Sequence, residues 1–334
     1  MGFGPWLCLP APSASYCKAV SAKRYLSGAM LATGSTLSQR LAGSTWQRRR
    51  ARYLRLVVSI FRLSRGKNLF ILGASMYLSA LFLVSPWLGI VQKLLDWRLL
   101  LAVVSTCCIT AAGYVINDYF DVQIDRINRP GSTIIDRRIS RRRALILHWL
   151  LVLAGIALAW PVSHKLCLLE GGAAGLLMLY SARLKRMAFW GNFTVAALSA
   201  ISLSVVGFVY IDVSHALAVF MYFSFGSSLI REVIKDLEDI PGDRLYGCRT
   251  LPIIWGIPPT RRLLNSLLLV FGISMPLLGF YISPLLGGYM LLLLLPLGAL
   301  AQRLQAADTM AAFRHLSRLS KLIMALGIVG MCLV

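Results

Sequence analysis

The chain has 334 residues, of which 57% are hydrophobic and only 14% charged, and its mean hydropathy is +0.70. So apolar a composition excludes a soluble domain and places the chain among polytopic membrane proteins. The net charge of +22 would suit a nucleic-acid partner. Its cations, however, are parcelled into alternate loops, a distribution that argues for the lipid bilayer and no nucleic acid.

Residues 1–66 hold no Asp or Glu, are rich in Ser, Ala and Arg, and run into the basic "WQRRRARYLRL" of Trp46 to Leu56. Residues 1–60 are expected to be a basic, disordered extension. It reads as an organellar transit peptide, a cytoplasmic tail, or an upstream extension of a chain starting near Met30. Residues 61–334 are expected to form the transmembrane domain.

Apolar runs then follow near 68–88, 98–117, 144–163, 166–182, 191–211, 214–231, 263–282, 284–302 and 319–334. A hydrocarbon layer of ~30 Å needs about 20 residues of helix, so these are nine candidate spans. The fourth is short and carries Glu170, which makes eight or nine the expected count. The runs are continuous rather than alternating, which argues against a β-barrel. The expected fold class is all-α, a polytopic bundle.

Lys and Arg number twelve before the first run, seven in 118–143, three in 183–190, six in 231–262 and three in 303–318. The alternate gaps are nearly bare. This is the positive-inside pattern with the N-terminus in the cytoplasm, and the basic loops would also lie against anionic headgroups. A bacterial plasma membrane is favoured, with an organellar inner membrane as the alternative.

The seven cysteines (Cys8, Cys17, Cys107, Cys108, Cys167, Cys248, Cys332) form no CxxC pair, and the four histidines form no ligand spacing. Zinc and disulfide frameworks are therefore poorly supported. The acids are more informative. Nine of the 13 fall in two windows: Asp118, Asp121, Asp125 and Asp136, then Glu232, Asp236, Glu238, Asp239 and Asp243. Each window sits where an apolar run reaches the basic side. If the helix continues through "NDYFDVQID", Asn117, Asp121 and Asp125 share one face with Asp118 flanking it. In "DLEDIPGD" Asp236, Asp239 and Asp243 step by three and four. Pro241 and Gly242 predict that this helix frays or ends before Asp243, which would then reach from a loop.

Charges near membrane depth are costly unless paired, hydrated or bound to a cation. Carboxylates without accompanying His or Cys suit Mg²⁺, which takes one or two of them and completes its shell with substrate phosphate. The expectation is that the aspartates hold Mg²⁺ and the Mg²⁺ holds a diphosphate; the alternative is a pair of solvated helix ends. Nearby cations would neutralise a leaving diphosphate. Lys235, Arg183 and Lys185 are the preferred substrate ligands, with Asn117 and Arg137 as further candidates.

With these motifs in place, the chain resembles the UbiA superfamily of intramembrane prenyltransferases. The likeness rests on NDxxDxxxD at Asn117, Asp118, Asp121 and Asp125, on DxxDxxxD at Asp236, Asp239 and Asp243, and on "YSARLKR" (Tyr180 to Arg186) between them. The resemblance covers roughly residues 60–334. It implies about nine helices around a central cavity, with all seven motif residues at a Mg²⁺ site that grips a polyprenyl diphosphate. It makes Asp121 and Asp239 catalytic candidates, with Asp118 as ligand or supporting group. Tyr180 would stabilise an allylic cation or orient the acceptor, or else serve as an interfacial aromatic anchor. The wording KDxEDxxGDxxxGxxTLP, met from Lys235 to Pro252, is similar to members that add geranylgeranyl to geranylgeranylglyceryl phosphate. Acceptors implied by the wider family are lipid or aromatic. One departure is "GSTIIDRRIS" (Gly131 to Ser140), where Ser132-Thr133 replaces an Arg-Pro and Arg137 replaces a Gly. The competing readings are an aromatic-acceptor prenyltransferase of a quinone pathway, a cyclase or diphosphate hydrolase, and a cation- or proton-coupled transporter.

Overall fold

Asp118, Asp121 and Asp125 lie on one of the two longest described helices and Glu232 to Asp243 on the other, while Asp136 lies in the loop after the first. A computed structural model describes residues 45–85, 87–128, 131, 133–210 and 214–334. The expectations placed on residues 1–44, among them Cys8, Cys17 and Met30, and on Arg129, Ser132 and Asp212 fall outside the described residues. Residues 58–334 form one compact unit, and residues 1–57 are a separate one.

The helices are α1 (Thr45–Leu63), α2 (Gly66–Phe82), α3 (Trp97–Asn128), α4 (Arg141–Ala159), α5 (His164–Ala182), α6 (Trp190–Tyr210), α7 (His215–Leu245), α8 (Ile257–Ile282), α9 (Pro284–Gln305) and α10 (Met310–Val329). Short helical turns lie at Ile90–Leu94 and Leu251–Ile254. Among the described residues there is no strand, only two isolated bridges. Eight helices, α3 to α10, are long and apolar enough to cross a bilayer. The first expected span is α2, whose 17 residues rise only ~25 Å. That is the lower end of the length a crossing takes, so among the described residues the expected eight or nine spans are met by eight long helices and one shorter one.

Several boundaries follow from local chemistry. Ser140, Ser214, Ser283 and Thr309 each accept a hydrogen bond from the third residue of the helix they precede, α4, α7, α9 and α10. Such side chains satisfy amide donors that a helix start leaves unpaired. Arg65 separates α1 from α2 in a left-handed conformation, with φ 51°. That turn lets its guanidinium reach α3, where it meets Asp118 at 3.0 Å and lies 4.7 Å above the Tyr114 ring.

The bundle is antiparallel from α3 onward, so the C-termini of α3, α5, α7 and α9 meet the N-termini of α4, α6, α8 and α10 at one end. α3 packs on α4 and α5, α7 packs on α6, α8 and α10, and the two acidic helices touch each other. Close approach between α3 and α4 occurs at Gly155, where Ser105 Oγ donates to the Gly155 carbonyl at 2.7 Å. A Cβ at Gly155 would collide with Ile109. The main core runs along α7, through Phe220, Val233, Ile234 and Leu237, and continues into α8, α9 and α10.

α3 and α7 have 32 and 31 residues, ~48 and ~46 Å of helix, and outrun the hydrocarbon layer. α3 continues unbroken through its aspartates. α7 also continues, to Leu245, with Pro241 inside it, so Asp243 lies on the helix and not on a loop. Proline breaks a helix partly by leaving hydrogen-bonding groups unmatched. Here the next amide, Gly242 N–H, donates at 2.8 Å to the Asn128 side chain at the end of α3. Asn128 therefore clamps the ends of the two acidic helices together.

Replacing Asn128 with Ala leaves the Gly242 amide without its partner. The expected cost is about 1–3 kcal/mol, read as a lower midpoint of thermal unfolding in detergent. An unchanged midpoint would show that the clamp contributes nothing.

Candidate functional site

Two adjoining cavities open at the end where the acidic helices meet. The smaller, of about 70 Å³, is walled by Asn117, Asp121 and Asp125 from α3 and by Asp236, Asp239 and Asp243 from α7. The larger, of about 400 Å³, extends away from it between α2, α3, α5, α6, α7, α8 and α10. Leu72, Ile109, Leu203, Phe223 and Phe271 are among its apolar walls. Arg65, Asn117, Tyr180, Glu232 and Lys235 line both and mark the junction.

The acids are held by donors from neighbouring elements. Lys185, in the turn after α5, makes an ion pair with Asp121. Its Nζ also lies 3.5 Å from Asn117 Oδ1. Asn117 Nδ2 donates to Asp121 Oδ2 at 2.9 Å, one helical turn along. Asn192, at the start of α6, donates to Asp236 Oδ2 at 2.9 Å. The turn carrying Lys185 is fixed by backbone pairing, with Arg249 N–H donating to the Arg186 carbonyl at 2.8 Å. Burial pushes the Lys185 ammonium down to about 7, and repulsion from Lys235 adds to the shift. Burial opposes the charge of Arg65 too, but Asp118 and Tyr114 outweigh it and hold that guanidinium above its usual value.

Six carboxylates, Asp121, Asp125, Glu232, Asp236, Asp239 and Asp243, line the small cavity against three cations, Arg65, Lys185 and Lys235. Such a deficit in a confined, poorly hydrated space calls for further positive charge. Among the described residues no three acids, His or Cys converge closely enough to hold an ion unaided. The donor set still fits Mg²⁺, which prefers hard oxygens and fills most of its shell with phosphate and water. Two rows of aspartates facing one another fit a shared diphosphate better than a closed protein cage.

The other sequence candidates are placed differently. Asp118 does not line the small cavity and is engaged by Arg65. Arg183 ends α5 and lines neither cavity. Arg137 is exposed in the 131–140 loop, where it donates to the Gly131 carbonyl at 3.3 Å. That loop is closed by its own backbone bonds, Asp136 N–H to Ile139 O and Arg138 N–H to Ile134 O, which keep Arg137 away from both cavities. Sequence reasoning missed Arg65, Asn128, Asn192 and Glu232. Asn192 had a signal, a lone carboxamide opening an apolar run just after "YSARLKR". Arg65 had none, because its role depends on a turn.

Comparison with known proteins accords with this geometry. The profile of the UbiA prenyltransferase family matches residues 69–322. The chain belongs to that family. It is accordingly a multi-pass integral membrane prenyltransferase. Among its relatives, a digeranylgeranylglyceryl phosphate synthase of Methanothermobacter thermautotrophicus is 37% identical over 238 residues, covering 69% of this chain and 83% of the relative. A protein of the same description from Methanoregula boonei is 44% identical over 168 residues, covering 48% and 58%. Of solved structures, one described as digeranylgeranylglyceryl phosphate synthase superposes with a TM-score of 0.65 at 22% identity, covering 83% of this chain and 97% of that one. A UbiA homologue from Archaeoglobus fulgidus bound to DMAPP and Mg²⁺ gives 0.57 at 17% identity, covering 83% and 100%. These likenesses show that the prenyltransferase shares the UbiA fold.

Asn192→Leu removes the donor to Asp236 and leaves α6 apolar. It is expected to lower kcat/KM for the prenyl donor about tenfold or more, the loss of one hydrogen bond to a charged group, with membrane insertion intact. Unchanged kinetics would remove Asn192 from the site.

Proposed function

We propose that this prenyltransferase transfers a geranylgeranyl group from its diphosphate to geranylgeranylglyceryl phosphate, with Mg²⁺ as cofactor. The observation that carries the reading is the junction of the two cavities. A small acid-lined chamber fits a metal-bound diphosphate, and an apolar chamber of about 400 Å³ begins where Tyr180 lines both. The names of the curated relatives support the lipid acceptor.

Asp121 and Asp125 from α3, with Asp236, Asp239 and Asp243 from α7, would hold the Mg²⁺ and through it the diphosphate. When bound, Mg²⁺ neutralises the leaving group and draws electron density from the carbon–oxygen bond. Lys185 and Lys235 supply further positive charge beside the departing diphosphate. Tyr180 at the junction presents its ring and hydroxyl to the prenyl C1, where an aromatic face stabilises developing cationic charge. The apolar walls of the larger cavity keep water from that carbon, so the acceptor hydroxyl attacks it instead. The carbon–oxygen bond to diphosphate breaks, the ether bond forms, and the hydroxyl proton passes to a carboxylate of the small chamber.

The acidic end of the bundle is assigned to the cytoplasm on the strength of its basic loops, in a bacterial plasma membrane. Deleting residues 1–50 is expected to leave specific activity within about twofold in a membrane assay; complete loss would give the extension a part in binding or folding.

The deciding experiment supplies purified protein with geranylgeranyl diphosphate, Mg²⁺ and separate acceptors: geranylgeranylglyceryl phosphate, 4-hydroxybenzoate and 1,4-dihydroxy-2-naphthoate. Prenylation of the glyceryl phosphate alone, abolished by EDTA, is expected. Prenylation of an aromatic acid instead would replace the acceptor, and diphosphate release without product would replace the chemistry. Asp121→Ala and Asp239→Ala are each expected to abolish turnover in inserted protein, and full activity in either would discard the two-helix site.

A further inference from the structure

A second set of cations lies deeper in the bundle, away from the aspartates. Arg314, on α10, donates from Nε to Glu238 Oε1 on α7 at 3.1 Å, which sets the register of these two antiparallel helices. Seven residues further into the bundle on each helix come Arg231 on α7 and Lys321 on α10. Two turns of helix rise ~10 Å, so the two cations stand at one common level, and both line the larger cavity. Lys235, one turn from Arg231, lines it as well. Glu232 meets Arg231 and lies 3.7 Å from Lys235.

Two polar atoms at this height have no partner. They are Arg231 Nε and the hydroxyl of Ser228, one turn below it on α7. Ser228 is 3% exposed and also lines the cavity. Buried donors inside an apolar bundle are expensive unless a ligand answers them. Of the residues lining the acid chamber, Glu232 meets Arg231 through another nitrogen, while the aspartates begin at Asp236, five residues or ~8 Å along α7, and leave Arg231 Nε and the Ser228 hydroxyl without a partner.

Resting on the reading above, we infer that Arg231 and Lys321, with Ser228 beside them, form the site for the acceptor's phosphomonoester. A guanidinium presents paired donors suited to phosphate oxygens, and a lysine adds a point charge. A phosphate anchored there holds the glycerol hydroxyl at the cavity junction, while the lipid tail follows the apolar wall. The two substrates' phosphates are thereby kept apart, one beside the aspartates and one between α7 and α10. The same arrangement selects for a phosphorylated lipid over its alcohol.

The test measures KM separately for geranylgeranyl diphosphate and for geranylgeranylglyceryl phosphate in wild type, Arg231→Gln and Lys321→Gln. The dephosphorylated alcohol, geranylgeranylglycerol, serves as a third substrate. Each variant is expected to raise the KM for the phosphorylated acceptor about tenfold, the effect of one lost charge-assisted bond. Donor KM should stay within about twofold, and the preference for phosphate over alcohol should shrink by the same factor as acceptor KM rises. Unchanged acceptor KM in both variants, or a rise in donor KM instead, overturns the assignment. If Arg231→Gln aggregates on size exclusion, Lys321→Gln, on the exposed edge of α10, decides alone. Wild type that prenylates only an aromatic acid would fail the proposed function itself, and the phosphomonoester site with it.

Discussion

Gathering acids at one end of an apolar bundle is the constraint on which the rest depends. Carboxylates repel one another most where water is scarce, and here six line one small chamber with three cations. Each neighbouring element contributes to making that tolerable. The turn after α5 brings Lys185 to Asp121, and the start of α6 brings Asn192 to Asp236. The turn between α1 and α2 brings Arg65 to the chamber wall. What remains uncompensated is a demand for positive charge, and a divalent ion carried with a diphosphate meets it.

Helix length turns that electrostatic problem into a soluble one. α3 and α7 are some ten residues longer than the bilayer needs, so their acid-bearing turns stand where water and headgroups reach. An ordinary proline would end α7 before Asp243. The Asn128 carboxamide accepts the Gly242 N–H beyond Pro241, and in doing so ties α3 to α7 beside the chamber. The same side chain thus maintains the helix and holds the spacing between the two aspartate rows.

Polarity inside the larger cavity is graded rather than uniform. Tyr180, Glu232 and Lys235 stand at its junction with the acid chamber, Arg231 and Lys321 deeper, and apolar side chains line the remainder. Such a gradient suits two amphiphilic substrates whose charged heads must lie near one another without sharing a site.

Much of this was determined by the sequence alone. Continuous apolar runs can only be helices in a bilayer, and the spacing of Asn117, Asp121 and Asp125 puts them on one face wherever the helix extends. The motifs carried the family. Other features depended on contacts between residues far apart in the chain. Pro241 reads as a helix end until Asn128, 114 residues away, accepts the next amide. Asp118 reads as a ligand until Arg65 turns into it, and Arg137 reads as a phosphate contact until its loop closes on itself. That Arg231 and Lys321 line one cavity depends on the packing of α7 against α10, which no local pattern encodes. Spacing determines which side chains share a helix face, but only packing determines what that face meets.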